Sequence, residues 1–268
     1  MYKQEVAVII PVYKAHFSAY ELIALKQCLL VLKNYPVIII KPHSLLIPSD
    51  IPGIEKVTTI TFDEEYFSSI HGYNRLMLSE MFYSRFINYR YILIYQLDAF
   101  VFSDQLTYWC GQGYDYIGAP WLGKKRAWPG KIVNRIKTYL YVRYNAKYPD
   151  GLPKIGKQLE NRVGNGGLSL RRVEIFKEYC AGYQYAINKY LSMQHPWFNE
   201  DIFWSIEINR KKHNLKIPGL KRSLRFAFET RPDIALEINS GQLPFGCHAW
   251  DKYISFWKPI FKGIGYDL

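Results

Sequence analysis

The acid Asp98 is the first residue of the sequence whose type and position suggest chemistry. It lies three residues after the apolar run Tyr91–Tyr95, which has the composition of a buried strand. In open α/β sheets, ligands bind beyond the carboxyl ends of the strands. A carboxylate there can hold Mg²⁺ or Mn²⁺, which prefer oxygen ligands and bridge diphosphates. An ordinary loop or helix-cap acid is the alternative interpretation.

Two further acids, Glu200 and Asp201, follow Asn199, a residue type that often precedes the first turn of a helix. The dipole and free N–H groups of a helix N-terminus favour ionised carboxylates. Such an environment keeps a general base unprotonated at neutral pH. Asp and Glu are also ordinary residues of a helix's first turn, so position alone leaves both interpretations open.

A glycine turn and a late histidine complete the set of candidates. Asn165, Gly166 and Gly167 lie in the run Val163–Leu170, which predicts a tight turn entering a strand. Glycine lets the backbone approach a ligand closely. His248 lies in an aromatic segment, where imidazole can complete a Mn²⁺ site begun by one carboxylate. A plain turn and a packed, hydrogen-bonded histidine are the alternatives.

The length fits one large α/β domain or two tightly packed lobes, and the charge favours anionic partners. The chain has 268 residues, 49% of them hydrophobic, and a formal net charge of +12. This charge suits nucleotide phosphates, nucleic acid or an acidic membrane surface. The four scattered cysteines argue against a cysteine-based zinc site and exclude a dense disulfide framework. They favour a reducing compartment. No apolar stretch approaches the roughly 20 residues of a membrane helix, so we expect a cytoplasmic protein, or one peripheral at the inner membrane face.

Alternating strands and helices should position these candidates. The apolar runs Val6–Ile10, Val37–Ile40 and Val57–Phe62 predict buried strands. Ser18 and Glu21 predict a capping box at the start of the first helix. This order is a βαβ beginning. Further helices are predicted over residues 73–87 and 173–190, and two short apolar segments cover Ala99–Phe102 and Tyr116–Pro120. The alternation predicts a three-layer domain.

The segment Lys124–Tyr148 is strongly basic, with eight Lys or Arg and no Asp or Glu. Ile132, Ile136, Tyr139 and Leu140 could form one apolar helix face, with Lys131 and Arg135 beside it. Such a helix could contact an anionic membrane or a lipid-linked phosphate. A solvated basic face is the alternative. Arg162, Arg171, Arg172, Lys221 and Arg222 add further possible phosphate donors, with ordinary surface positions as the default.

Five segments, taken in order, resemble the GT-A class of glycosyltransferases. They are Gln96–Phe102, Tyr116–Trp121, Gly164–Arg171, Asn199–Asp201 and Pro244–Trp250. The chain is most similar to an uncharacterised bacterial glycosyltransferase family and, more distantly, to inverting β-1,3-galactosyltransferases and Fringe-like enzymes. The resemblance runs from Val6 to Trp250. It implies a GT-A-like three-layer α/β/α sandwich with a mostly parallel, Rossmann-like central sheet. Residues 1–122 would bind the nucleotide and 123–268 the acceptor, within a single domain.

The resemblance also implies a role for each candidate. Asp98 matches the last acid of the Asp-x-Asp metal motif, and His248 matches the histidine that joins the metal or diphosphate. Asp201 matches the catalytic base, with Glu200 beside it on the acceptor side. Asn165, Gly166 and Gly167 match the loop near the donor sugar. The nucleotide base would lie against the end of the first strand, at Pro11, Val12, Tyr13 and Lys14.

One position departs from the family pattern, because Gln96 stands where the first acid of Asp-x-Asp would be. Glutamine can bond a ribose hydroxyl but is a poor metal ligand beside a carboxylate. A Mn²⁺ or Mg²⁺ ion would then depend on Asp98, His248, the diphosphate and water. Lys and Arg of the basic segment could partly replace the ion.

The implied activity is transfer of a sugar from a nucleotide-diphosphate donor, UDP-sugar foremost, to a hydroxyl of a glycan or lipid-linked glycan. It would invert the anomeric carbon and serve bacterial surface-glycan synthesis. A nucleotidyltransferase is the nearest rival, but Pro11–His16 lacks the glycine-rich loop that would follow its first strand. A non-catalytic carbohydrate or nucleic-acid binder is a second rival. No recognised nucleic-acid module is visible, so no nucleic acid is expected as partner.

Overall fold

A six-stranded, mostly parallel sheet forms the centre of the computed structural model, which describes residues 4–49, 51–193 and 195–268. These residues form nine strands: β1 Gln4–Pro11, β2 Val37–Pro42, β3 Thr58–Phe62, β4 Tyr89–Tyr95, β5 Phe100–Val101, β6 Tyr116–Ile117, β7 Leu168–Arg172, β8 Ala227–Phe228 and β9 Gly246–Cys247. The central sheet has the order β3-β2-β1-β4-β7-β6. β3, β2, β1 and β4 run parallel, and β7 is antiparallel to both neighbours.

Helices cover both faces of this sheet. The described residues contain twelve: α1 Ala19–Val31, α2 Ile70–Met77, α3 Glu80–Ser84, α4 Leu106–Gly111, α5 Gly130–Arg143, α6 Ile155–Gln158, α7 Val173–Gly182, α8 Gln184–Leu191, α9 Glu200–Ile202, α10 Leu220–Phe226, α11 Pro232–Ile238 and α12 Ile254–Gly263. Short 3₁₀ turns cover Ile54–Lys56, Glu64–Tyr66 and Trp250–Tyr253, and a π turn covers Phe203–Glu207.

The layers follow from the alternation of side chains along β1, since successive strand residues point to opposite faces of a sheet. Val8 and Ile10 pack with Leu25 of α1 and with α4. Ala7 and Ile9 pack on the other face with α2, α3 and α7. Both faces of β1 are buried, as its continuous apolar sequence predicts. The predicted three-layer α/β/α sandwich is confirmed.

A second, three-stranded sheet lies beside the first, in the order β5-β9-β8. Its core joins α11 and α12 through aromatic side chains, with Phe100 stacked on Phe261 at 4.2 Å between ring centroids. This sheet fixes the position of two residues that line the cleft described below. β9 ends at Cys247 and β8 at Phe228, so the residues that follow, His248 and Glu229, are held at one edge of this sheet.

The predicted element boundaries are partly confirmed. Ser18 and Glu21 form both bonds of the capping box of α1. The predicted helix 73–87 is wrong in being continuous, because Ser79 interrupts it. Its hydroxyl donates to the Leu76 carbonyl and accepts from Phe82 N–H, and so ends α2 and begins α3. The predicted helix 173–190 is likewise divided into α7 and α8, after the weak helix former Gly182.

The two short apolar segments each contain a two-residue strand. β5 covers Phe100–Val101 within the segment 99–102, and β6 covers Tyr116–Ile117 within 116–120. Beyond β6 the chain leaves the sheet, and Pro120 pairs with Val163 as a single bridge. No helix within the described ranges is long and apolar enough to span a membrane.

Candidate active site

A single cleft of about 940 Å³ at the carboxyl ends of β1 and β4 brings together all the site residues predicted from the sequence. These residues are Pro11, Val12, Tyr13, Lys14, Gln96, Asp98, Asn165, Gly166, Gly167, Glu200, Asp201 and His248. The ends of β1 and β4 meet because these strands are parallel neighbours. The antiparallel strand β7 begins at the same edge, so the turn before it faces the same cleft.

Asp98 and His248 form a charged pair on one side of the cleft. His248 Nε2 lies 3.0 Å from Asp98 Oδ1 and 3.2 Å from Gln96 Oε1. Burial acts to raise the pKa of Asp98, but the charge of His248 and its hydrogen bond outweigh burial and lower that pKa below its usual value. Burial acts to lower the pKa of His248, but Asp98 and Glu229 outweigh it and raise that pKa to about 10. Without a metal, the pair is carboxylate and imidazolium.

Glu229 is a member of this cluster that we did not predict from the sequence. Its Oε1 lies 3.6 Å from His248 Nδ1 and accepts a 2.7 Å hydrogen bond from Asn165 Nδ2. It thereby links the histidine to the glycine turn. Glu229 directly follows the short apolar run Phe226-Ala227-Phe228, and Asp98 lies three residues after the end of β4. The same strand-end signal could have found it, although β8 has only two residues.

The donor atoms of this cluster fit part of a divalent metal shell. Two neighbouring ligands of an octahedral ion with bonds of about 2.1 Å lie about 3.0 Å apart, and Asp98 Oδ1 and His248 Nε2 are 3.0 Å apart. Glu229 lies on the other ring nitrogen, His248 Nδ1, which has no hydrogen-bond partner of normal geometry among the described residues. A carboxylate in that place orients a metal-binding histidine.

The protein groups supply only part of such a shell. In the described ranges, no three His, Cys, Asp or Glu side chains are placed to hold a metal together. The amide of Gln96 stands where a second acid would complete the motif. Asp98 and His248 would therefore hold an ion together with ligands from outside the protein, such as phosphate oxygens and water.

The glycine turn separates the Asp98–His248 pair from the acids of α9. A Cβ on Gly166 would lie 2.5 Å from Glu200 Oε1 and 3.2 Å from Asp201 Cβ. A Cβ on Gly167 would lie 1.9 Å from His248 Nε2. The Asn165 side chain shapes the turn by accepting from Gly167 N–H at 3.0 Å. Glycines are thus required because functional side chains pack directly against the backbone.

We expect Gly167→Ala to disturb the Asp98–His248 pair while preserving the fold. The new methyl group would displace the imidazole, because the 1.9 Å approach to Nε2 cannot be accommodated. Affinity for a divalent metal with nucleoside diphosphate should fall about 10- to 100-fold, as for other changes in groups that orient ligands. Isothermal calorimetry would measure it. Gly156→Ala is the matched control, since its Cβ would meet nothing within 4 Å, and equal binding by both variants would contradict the prediction.

Glu200 is held by a buried ion pair with Arg171. Arg171 Nη1 and Nη2 donate to the two carboxylate oxygens at 3.0 and 2.8 Å, and both side chains are buried. Arg171 also donates to Ser169 Oγ and Tyr83 Oη. The default assignment of Arg171 to the surface is therefore wrong. It lies on β7 with its side chain in the core, where Glu200 neutralises its charge.

The backbone beginning α9 is capped from another helix. Asn199 has the extended backbone expected of a capping position, but its side chain makes no cap. Its Oδ1 instead accepts from Asn74 Nδ2, while Asn74 Oδ1 accepts from Glu200 N–H. The start of α9 was predicted correctly from the sequence. The side chain that caps it is that of Asn74, not the predicted Asn199. α2 therefore fixes the position of the two acids.

Asp201 differs from Glu200 because it forms no ion pair with any cationic side chain among the described residues. Its Oδ1 accepts from Ile202 N–H at 2.7 Å. Burial, followed by the negative charges of Glu200 and Glu229, raises the pKa of Asp201 to about 7. A carboxylate with that pKa can accept a proton near neutral pH and return it. Asp201 therefore combines a pKa near neutrality with a position in the cleft.

The far end of the cleft is formed by the residues after β1. Lys14 Nζ pairs with Glu21 Oε2 at 2.9 Å, so the capping-box acid of α1 also holds this lysine. The Tyr13 ring is 62% exposed and accessible to a planar ligand. The cleft is also lined by groups that we did not predict, among them Phe67, Tyr73 and Lys252.

Comparison with known proteins identifies the family. The sequence profile of a family described as "Protein of unknown function (DUF5672)" matches residues 56–248. The chain belongs to the DUF5672 family. The matched region of this DUF5672 protein begins before β3 and ends at His248, so it includes every predicted site residue from Gln96 onward. No curated protein matches the chain.

Solved structures similar to this DUF5672 protein share its fold. The galactosyltransferase LgtC, crystallised with donor and acceptor sugar analogs, aligns with a TM-score of 0.51 and 13% identity, over 90% of this chain and 86% of LgtC. An active-site mutant of LgtC aligns with a TM-score of 0.52 and 14% identity, over the same shares. At these identities the similarity establishes the fold alone, and the predicted GT-A-like fold is confirmed.

Proposed function

We propose that this protein transfers a sugar from a nucleoside-diphosphate sugar to a hydroxyl group of a glycan or lipid-linked glycan. The observation that carries the proposal is the arrangement around Gly166 and Gly167. An unneutralised carboxylate, Asp201, lies on one side of this turn, and the Asp98–His248 pair lies on the other, within one cleft. Transfer needs a base at the acceptor and a positively charged group at the leaving diphosphate, in separate places.

The proposed roles follow from position. Pro11, Val12 and the exposed Tyr13 ring would receive the nucleotide base, and Gln96 a ribose hydroxyl. Asn165 and the two glycines would face the donor sugar. Lys14 and Lys252 add positive charge to the cleft. Similarity to a galactosyltransferase crystallised with sugar analogs supports a fold able to hold such ligands.

Asp201 would remove the proton from the acceptor hydroxyl as its oxygen attacks the anomeric carbon. The new carbon–oxygen bond forms as the bond to the diphosphate breaks, and the electron pair leaves with the nucleoside diphosphate. Attack from the face opposite the leaving group inverts the anomeric carbon. Glu200 would lie beside the acceptor and act as a positioning residue. Its carboxylate is not free to accept a proton, because both oxygens accept hydrogen bonds from Arg171.

Asp98 and His248 would bind Mn²⁺ or Mg²⁺ together with the donor diphosphate. A bound ion would neutralise charge that develops on the leaving group. His248 must be neutral to bind a metal, so binding would displace the proton that Asp98 and Glu229 stabilise on the ring. Glu229 would orient the ring from Nδ1.

The rate of transfer should rise with pH through about 7. Asp201 has its pKa raised to about 7, and only the deprotonated form can accept the acceptor's proton. Below that pKa, log kcat should fall by about one unit for each unit of pH. A pH–rate profile measured at saturating donor and acceptor would test this. A profile that is flat between pH 5 and 8 would contradict Asp201 as the base.

Binding of a nucleotide is the first test of the proposed function. Calorimetry with UDP and GDP, each with Mn²⁺ and with a chelator, should show binding of one nucleoside diphosphate that weakens when the metal is removed. Asp98→Asn should reduce the metal-dependent part. Donor turnover that releases pyrophosphate instead of nucleoside diphosphate would favour a nucleotidyltransferase and overturn the proposal.

A further inference from the structure

The helix α5 exposes large apolar side chains on the face directed away from the protein body. Five residues are each between 41% and 57% exposed: Ile132, Val133, Ile136, Tyr139 and Leu140. Trp128 before the helix and Tyr144 after it are exposed further, by 73% and 77%. Contiguous exposed apolar groups of this kind mark interaction sites on soluble proteins.

The opposite face of α5 attaches the helix to the body. Thr138 and Val142 are its buried residues. Val142 packs in a cluster with Ile155, Ile202 and Ile206, and its carbonyl accepts a hydrogen bond from Arg210. Each residue advances about 100° around a helix, so Val133, Ile136 and Leu140 lie roughly 120–180° around α5 from Val142. Ile132 and Tyr139 lie on the flank between that side and Val142, roughly 60–80° from it. The apolar face is therefore not a core face left uncovered by poor packing.

The charges beside this face are all positive. Residues 124–148 contain eight Lys or Arg and no acid. Outside the helix, Lys125 pairs with Glu237 and Arg126 with Glu160. The helix itself carries four basic residues: Lys131, Arg135, Lys137 and Arg143. None of them forms an ion pair with any described acidic residue. All four side chains are exposed, so the helix carries positive charge beside its apolar side chains that no described acid neutralises.

We propose that α5 and Trp128 dock this protein on an anionic lipid membrane. An interfacial helix inserts apolar side chains between lipids while basic side chains contact the headgroups. Trp and Tyr side chains at its two ends suit the boundary between headgroup and hydrocarbon. A second copy of the chain is a poorer partner, because a symmetric contact would bring two uncompensated basic faces together. The membrane supplies the complementary negative charge.

The docked helix shares a hydrophobic cluster with the segment that carries the candidate base. Val142 of α5 and Ile202 of α9 share one cluster, and Ile202 follows Asp201 in the chain. The membrane-facing surface and the cleft are therefore joined through packed side chains. Docking does not depend on the proposed sugar transfer, and the two can be tested separately.

Vesicle flotation would test the docking surface directly. Wild-type protein should float with vesicles that contain phosphatidylglycerol and bind them at least tenfold more tightly than pure phosphatidylcholine vesicles. The apolar double variant Ile136→Ser/Leu140→Ser should lose at least tenfold in binding to the anionic vesicles. The charge variant Lys131→Gln/Arg135→Gln/Lys137→Gln should lose a similar factor and most of the sensitivity to salt.

Matched controls change the same residue types elsewhere on the surface. Leu46 and Tyr185 are exposed apolar residues away from α5, and Lys211 and Lys212 are exposed basic ones. Leu46→Ser/Tyr185→Ser and Lys211→Gln/Lys212→Gln should bind vesicles as wild type does. All variants should keep the wild-type unfolding temperature and nucleotide binding in solution, which separates docking from the cleft.

Three results would overturn the proposal. Wild-type protein that stays with the buffer in the presence of anionic vesicles would exclude docking. Binding of both α5 variants at wild-type strength would place the membrane contact elsewhere. A wild-type dimer that light scattering finds dissociated in the apolar variant would assign the face to a second copy.

Discussion

Asp201→Asn is expected to lower the rate of sugar transfer by about 10²- to 10⁴-fold, the usual contribution of a general base. The amide has nearly the shape of the carboxylate but cannot accept the proton. Donor affinity should change little, because the donor groups lie on the other side of the glycine turn. Initial rates with saturating donor and acceptor, together with calorimetry of the nucleotide, would measure both effects.

Two controls test whether a lower rate of Asp201→Asn comes from loss of the base. Asp233→Asn removes an exposed acid of α11 and should leave the rate unchanged.

The stability of Asp201→Asn provides the second control. The folded-state pKa of Asp201 is about 7, above its ordinary value of 3.8, so ionisation of Asp201 destabilises the fold as pH rises through this interval. The variant should melt higher than wild type at pH 8, with a difference that shrinks toward pH 4. Transfer at a near wild-type rate would exclude Asp201 as the base.

Arg171→Met is expected to destabilise the fold more than any other single change considered for this protein. It would leave the Glu200 carboxylate buried without its bidentate partner. Breaking one side of a buried pair costs about 3–5 kcal/mol, a large part of the roughly 5–15 kcal/mol that stabilises a domain. Thermal unfolding should begin roughly 10 °C lower. An unchanged unfolding temperature would contradict the buried pair.

The double variant Arg171→Met/Glu200→Met separates the charge from the packing. Replacing both members of a buried pair with apolar groups of similar volume is often neutral. We expect it to recover most of the stability lost by the single variant. If the double variant is less stable than Arg171→Met, the single variant's loss comes from packing around Tyr83 and Phe176 instead of the unpaired carboxylate.

The part of the site that follows from strand ends could be predicted from sequence. β1 and β4 are long and apolar on both faces, so their ends at Pro11 and Tyr95 are visible in the sequence. Parallel pairing then brings those ends together. The fold and the residues expected around the cleft were predicted from the alternation of strands and helices together with the family resemblance carried by Gln96–Phe102, the glycine turn and His248.

Contacts made between distant segments could not be predicted in the same way. Arg171 lies 29 residues from Glu200 in sequence, and nothing local in β7 indicates that its side chain enters the core. Asn74 caps a helix that begins 126 positions later. The capping signal at Asn199 was misleading because a tertiary bond replaced the local one. The face of α5 that meets the body also depends on packing that periodicity alone leaves undecided.

A panel of nucleotide sugars, scored by release of nucleoside diphosphate with a sugar acceptor present, tests the central claim most directly. Each donor would be incubated with wild type and Asp201→Asn, with Mn²⁺ and with a chelator. We predict that wild type consumes one class of donor, forms a glycosylated product and releases nucleoside diphosphate in equal amount, while Asp201→Asn does so at least a hundredfold more slowly. Nucleotide binding without turnover of any donor by wild type would contradict the account.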